Sequence, residues 1–235
     1  MKKHWNLIRL ILLVVILIGL MGFANQRNEQ KNLIQVGVEV FPFEEVFITE
    51  DEVQHLILPD FIENMKLKDL DLQSFENQLI THDLIKEAQV FYEINGFLGI
   101  QIVQRKPLLR FLDGGFQYLD EEGKIMPLSK NYSARVPVAL GYNSTSVQTL
   151  FPLVKSIQKD EFLRQHIIGF NKDSQGVNLS LRESNFVVVF GEVNDIELKL
   201  NNLKAFYAKA KKDGNLATFK KVDLRFGNQV VCTKI

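Results

Sequence analysis

Apolar residues first run unbroken along this chain and later alternate with polar ones. The run is Leu10–Ala24, fifteen positions without a charge, preceded by Lys2, Lys3 and Arg9. With Trp5, Leu7 and Ile8 added, the apolar stretch reaches about 20 residues, which at the helical rise spans a bilayer core of roughly 30 Å. The pattern predicts a cytoplasmic tip and a transmembrane helix within residues 1–24, with Leu10, Ile16 and Leu20 in the membrane anchor. Basic groups before the run and none of either sign within it put the N-terminus in the cytoplasm and the rest of the chain outside. Gly22 and Ala24 also stand at signal-peptidase spacing, so a cleaved signal peptide is the other reading of the same residues. Residues 25–32 (NQRNEQKN) are wholly polar and predict a short linker.

Period-2 alternation begins next. Ile34, Val36, Val38 and Val40 predict a half-buried strand that ends at Pro42. Thr49 with Glu52 spells a capping box, and Val53, Leu56 and Ile57 lay one apolar helix face up to Pro59. A second helix is expected over Ser74–His82, capped by Ser74, with Phe75, Leu79 and Leu84 turned inward. Ile85–Ile94 and Leu98–Arg105 read as strands joined by Asn95-Gly96, a strong hairpin signal. The order over residues 33–106 is therefore β-α-α-β-β.

From Pro107 the texture changes to short strands punctuated by turn residues: Leu108–Leu112, Phe116–Leu119, Ile125–Leu128 and Val136–Leu140. A helix over Val147–Lys159 and a turn near Glu161–Gln165 follow. Strands resume at Ile167–Asn171, Val177–Leu181 and Phe186–Phe190. Asp195–Lys211 is the clearest helix, with Ile196, Leu200, Leu203, Phe206, Tyr207 and Ala210 on one stripe and Gly214 after its basic end. Lys199, Lys204, Lys209, Lys211 and Lys212 are expected on its solvated side. Phe219–Phe226, a Gly227-Asn228 turn and Gln229–Ile235 close the chain. The fold class is α+β, with residues 107–235 forming a second, β-rich domain that carries packed helices.

Composition narrows the function. Taking Lys2, Lys3 and Arg9 from the 28 basic residues leaves 25 against 28 acidic ones, a balance unsuited to binding nucleic acid. The single Cys232 cannot form an internal disulfide, so apolar cores must hold the domains. The four histidines have no HExxH spacing, and there is no GxSxG elbow, SxxK pair or Gly-rich phosphate loop. Asp69-Leu70-Asp71 and Asp120-Glu121-Glu122 read as solvated carboxylates rather than an acid/base pair. No catalytic residue, cofactor or metal ligand is assigned.

Gln104-Arg105-Lys106-Pro107, Tyr118-Leu119-Asp120-Glu121-Glu122-Gly123-Lys124 and Val222-Asp223-Leu224-Arg225-Phe226, with the anchor and the β-α-α-β-β order, resemble the FtsQ/DivIB family of bacterial division proteins. The resemblance implies a POTRA-like module over 33–106 and the family's β domain over 107–235. It further implies a non-catalytic divisome scaffold at the septum, single-pass in the cytoplasmic (inner) membrane. Such a scaffold binds the bitopic proteins FtsB/DivIC and FtsL and helps assemble or regulate septal peptidoglycan synthesis, with other divisome membrane proteins as candidate partners of the POTRA-like module. Partner binding falls by the same resemblance on the last strand, with Phe226, Val230, Val231 and Thr233 as contact positions and Gln229 and Cys232 between them. An exposed strand edge suits that role, because its main chain offers unpaired donors and acceptors. Proline at Val231 is expected to weaken the pairing. A membrane-tethered POTRA protein that binds client polypeptides in transport or envelope assembly is the alternative.

Overall fold

The computed structural model describes residues 2–29, 33–57, 66, 70–93, 95–227 and 229–235, with side chains in the first helix described at 9–24. That helix, α1, spans Lys2–Glu29. Its side chains from Arg9 to Ala24 are exposed, Leu10, Ile16 and Leu20 at 62%, 52% and 62%. Among the described residues no helix is long and apolar enough to cross a membrane, so the anchor rests on the sequence. The helix also runs through Asn25–Glu29, where a linker was expected. The chain divides into two compact units, Met1–Gln104 and Arg105–Ile235.

In the first unit, β1 (Gln35–Phe41), α2 (Glu50–Ile57), α3 (Leu72–Ile80), β2 (Ile85–Tyr92) and β3 (Phe97–Gln104) follow the expected β-α-α-β-β order. The strands lie in the order β1-β3-β2, with β1 parallel and β2 antiparallel to β3. One sheet face buries Val40, Val90, Leu98, Ile100 and Ile102, and α2 and α3 contribute Val53, Ile57 and Leu79 to the same core. The alternation fails at the start of β1, where Leu33 is buried and Ile34 exposed. On the other face the Phe97 ring lies over Gly37 and the Phe91 ring over Gly99, and a Cβ at either glycine would collide with the ring.

The capping box forms as spelled: Thr49 N–H donates to Glu52 Oε2 (2.8 Å) and Glu52 N–H to Thr49 Oγ1 (3.2 Å). For α3 the expected cap is corrected. Asp71, not Ser74, is the N-cap, and its Oδ1 accepts from Ser74 N–H (3.1 Å). Ser74 stands at the third helical position, where its own N–H is one of the free first-turn amides that the Asp71 carboxylate satisfies. Pro59 and Asp69 lie outside the described residues.

Gln104, 3% exposed, ties the loop after β1 to β3. Its Oε1 accepts from Phe47 N–H (2.6 Å) and Ile48 N–H (3.0 Å), and its Nε2 donates to Pro42 O (3.3 Å) and Glu45 O (3.1 Å). A buried amide is tolerated because both of its ends are used.

The second unit is built on a nine-stranded sheet. Its strands are β4 (Pro107–Leu112), β5 (Phe116–Asp120), β6 (Ile125–Pro127), β7 (Val138–Leu140), β8 (Ile167–Asp173), β9 (Gly176–Leu181), β10 (Val187–Gly191), β11 (Phe219–Phe226) and β12 (Gln229–Lys234). They lie in the order β12-β11-β10-β9-β8-β7-β4-β5-β6. Helices α4 (Phe151–Gln158), α5 (Glu161–His166) and α6 (Ile196–Lys212) pack with the sheet around one core of Leu109, Phe111, Phe170, Leu179, Phe190 and Val222. The single helix expected over Val147–Lys159 is a 3-10 turn, Ser146–Leu150, followed by α4. Pro152, in the first turn of α4, has no N–H to continue a ladder and so starts a helix instead.

Two polar residues depart from their expected surroundings. Asp120 is fully buried. Its Oδ2 accepts from Arg105 Nη1 (2.8 Å), and its Oδ1 from the N–H groups of Glu122 (2.9 Å) and Lys124 (2.7 Å). Arg105 also donates to Glu122 Oε2 (2.9 Å). Burial alone would weaken the guanidinium's hold on its proton, but these carboxylate bonds and charges outweigh it and raise its pKa. Lys199, expected on a solvated face, is 5% exposed. Its Nζ donates to Glu192 O (2.8 Å) and Asn194 Oδ1 (2.6 Å) and lies 4.8 Å from the centre of the Phe190 ring.

Candidate functional site

The last hairpin of the chain forms one border of the large sheet. β12 pairs antiparallel with β11 on one side and is the outermost strand on the other. Ile235 N–H donates to Thr218 O (2.9 Å), which turns the main chain of that residue toward β11. With the two-residue period of a strand, Gln229, Val231 and Thr233 also turn their N–H and C=O groups inward. Val230, Cys232 and Lys234 then turn theirs outward, where a further strand would pair.

Side chains divide the other way, above and below the sheet. Val230 and Cys232 are half-buried against the core. Gln229, Val231 and Thr233 are exposed, Val231 at 44%, and Phe226 on β11 is exposed at 55%. The six residues named from the sequence therefore gather on one hairpin but do different work. Phe226, Val231 and Thr233 offer side-chain surface, whereas Val230 and Cys232 offer main-chain groups and a partly covered apolar face. Burial also raises the pKa of the Cys232 thiol, which disfavours the reactive thiolate. Since the Val231 N–H turns inward, proline there would unseat β12 from β11, and Cys232 is the position that removes an outward donor.

The tip of the hairpin is held from two sides by residues to which sequence reasoning gave no role. Arg225 Nε and Nη2 donate to Asp223 Oδ1 (2.8 Å) and Oδ2 (2.6 Å), and Nη1 donates to Gln175 Oε1 (2.8 Å). The Arg225 bonds hold the Asp223 carboxyl below its ordinary pKa. On α6, Asn202 Nδ2 donates to Gly227 O (2.8 Å). The Asp223–Arg225 pair had a legible signal, because residues two apart on a strand share a face. The Asn202 contact had none.

A model of the family described as "FtsQ/DivIB, C-terminal related" matches residues 106–233, more than half of the chain. The chain belongs to the FtsQ/DivIB family. The match takes in every strand of the large sheet, short only of Lys234 at the end of β12. FtsQ/DivIB proteins are non-enzymatic division scaffolds of the divisome, which gives this chain a role in cell division. No match was found among curated proteins.

The remaining chemistry is local. His55 Nδ1 lies 2.6 Å from Asp51 O, His82 Nδ1 accepts from Leu84 N–H (3.3 Å), and His166 Nδ1 lies 2.8 Å from Phe162 O. Among the described residues no group of three or more His, Cys, Asp or Glu could hold a metal ion.

Proposed function

We propose that this FtsQ/DivIB-family chain captures a strand of FtsB/DivIC on the outer side of β12, and through that complex engages FtsL and helps assemble or regulate septal peptidoglycan synthesis. In this reading α1 is a single-pass anchor with its N-terminus in the cytoplasm. Residues 33–106 are a POTRA-like module, and they and the β domain over 107–235 lie outside the cytoplasmic membrane at the division septum. One observation carries the reading: β12 is an outermost strand of six residues, uncharged from Gln229 to Thr233, with outward main-chain groups at its centre. An uncovered β-prone border of this kind is a liability in a lone protein and an asset in one whose partner covers it. Phe226 and Val231 supply side-chain selectivity beside that border.

The test is capture of the extracytoplasmic FtsB/DivIC segment by the full chain in detergent, compared with Cys232→Pro and with a chain truncated after Gly227. Proline is accepted on an outermost strand where its missing N–H would face solvent, so Cys232→Pro keeps the fold and removes a donor from the added ladder. Affinity is expected to fall at least about tenfold, near the worth of one such hydrogen bond, and truncation is expected to abolish capture. Unchanged affinity in both variants would overturn strand capture. Uniform envelope localisation of a tagged copy in dividing cells, instead of midcell, would favour the client-binding reading.

A further inference from the structure

The hairpin bearing β12 is irregular where it turns. β11 advances three residues from Asp223 to Phe226 while β12 advances two from Val231 to Gln229, a bulge that interrupts the ladder beside the tip. A hairpin loosened at a bulge frays from its turn, and the strand it would lose first is the outer one. This tip is fastened on both faces. On the open face of the sheet the Arg225 guanidinium is occupied three times over, twice by Asp223 and once by Gln175 in the turn between β8 and β9. Its stem crosses Gly191, where a Cβ would stand 2.7 Å from Arg225 Cγ, so only glycine leaves room for it. On the helix face, Asn202 holds the carbonyl of Gly227, the turn residue with φ of 60°.

We infer that Asn202 and the Asp223–Arg225–Gln175 network are positioning residues for strand capture, fixing the hairpin tip so that β12 is presented as a preformed acceptor. The inference rests on the reading of β12 as the capturing strand. None of the four needs to touch the partner to act in this way. A tip that swings free leaves only a fraction of molecules with β12 in place, and the apparent dissociation constant rises by the inverse of that fraction. The loss falls on association, because the complex, once formed, is the same.

Asn202→Asp tests this most cleanly, because it keeps the size of the side chain and removes its donor. With the full chain in detergent and the FtsB/DivIC segment as probe, affinity is expected to fall about three- to tenfold. The fall should appear in the association rate, with dissociation unchanged. Amide exchange at Val231 and Thr233, whose N–H groups face β11, should quicken while β8–β10 keep their protection. Asn202→Gln, which retains the amide, should restore most of the rate, and Gln175→Ala should repeat the loss from the opposite face. Equal association rates for unaltered chain and both weakened variants would overturn the inference, as would a loss confined to dissociation, which is the mark of a direct contact. Absence of any capture by the unaltered chain would instead overturn strand capture itself, and the positioning role with it.

Discussion

The two units each present an outer strand, and they treat it differently. In the first unit β2 borders a three-stranded sheet, and its Val90 N–H, turned away from β3, donates to Glu76 Oε1 (2.9 Å) on α3. A helix side chain thus closes part of that border. In the second unit, among the described residues, no side chain bonds the main chain of Val230, Cys232 or Lys234. Edge protection of the first kind is a common device against unwanted pairing. An unguarded border is what the proposed capture on β12 requires. The units also hold their buried polar groups differently. Gln104 is a neutral amide satisfied by four main-chain groups, whereas its neighbour Arg105 is a charge balanced by Asp120 and Glu122.

The largest expected effect comes from breaking that second contrast. Asp120→Ala leaves the 7%-exposed Arg105 with one partner instead of two and frees two amides, so unit two should lose about 3 kcal/mol. Gln104→Ala strands Phe47 and Ile48 N–H groups in unit one and should cost about 2 kcal/mol there. Hydrogen exchange read unit by unit separates the two. A single transition in which both variants weaken both units equally would show that the chain does not behave as two bodies.

Alkali sharpens the comparison next. Tyr142, 4% exposed in unit two, has its pKa pushed up to about 12 by burial first and by the Asp173 charge second. The unfolded phenol ionises near 10. A raised folded pKa means that the stabilisation is complete below about pH 10 and is lost as pH rises through about 12. Two pH units correspond to on the order of 3 kcal/mol. Urea midpoints at pH 9 and pH 11.5 should therefore diverge, and Tyr142→Phe should flatten much of the difference. An equal slope in the Phe variant would assign the alkaline loss elsewhere.

How much of this could be read beforehand depended on the range of the interaction. The β-α-α-β-β order, the Asn95-Gly96 hairpin and the Thr49–Glu52 box follow from neighbours a few residues apart, and all are present. The Ser74 cap missed by one turn, because Asp71, a cap-forming residue three positions earlier, starts the helix instead. Asp120 and Lys199 were expected in water. Their partners, Arg105 fifteen residues earlier and the Glu192–Asn194 loop folded back under α6, exist only once the sheet is assembled. The outermost position of β12 was legible only as an expectation, since strand order across nine strands is a long-range property. Asn202 reaches Gly227 across 25 residues with no local pattern to announce it.

The smallest expected effect bears most directly on the contrast between borders. If Glu76 guards β2, then Glu76→Ala should release the Val90 N–H without unfolding the unit, because α3 keeps its Asp71 cap and the buried Leu79. The stability loss should be no more than about 1 kcal/mol, the net worth of one hydrogen bond. Exchange at the Val90 amide should quicken selectively, and the opened border should raise self-association at high protein concentration, detectable by sedimentation. Glu76→Gln retains an acceptor in the same place and should leave both readouts near the starting values. If Val90 exchanges no faster in the alanine variant, the Glu76 contact is incidental, and the difference between the two borders must come from the strands themselves rather than from a guard laid over one of them.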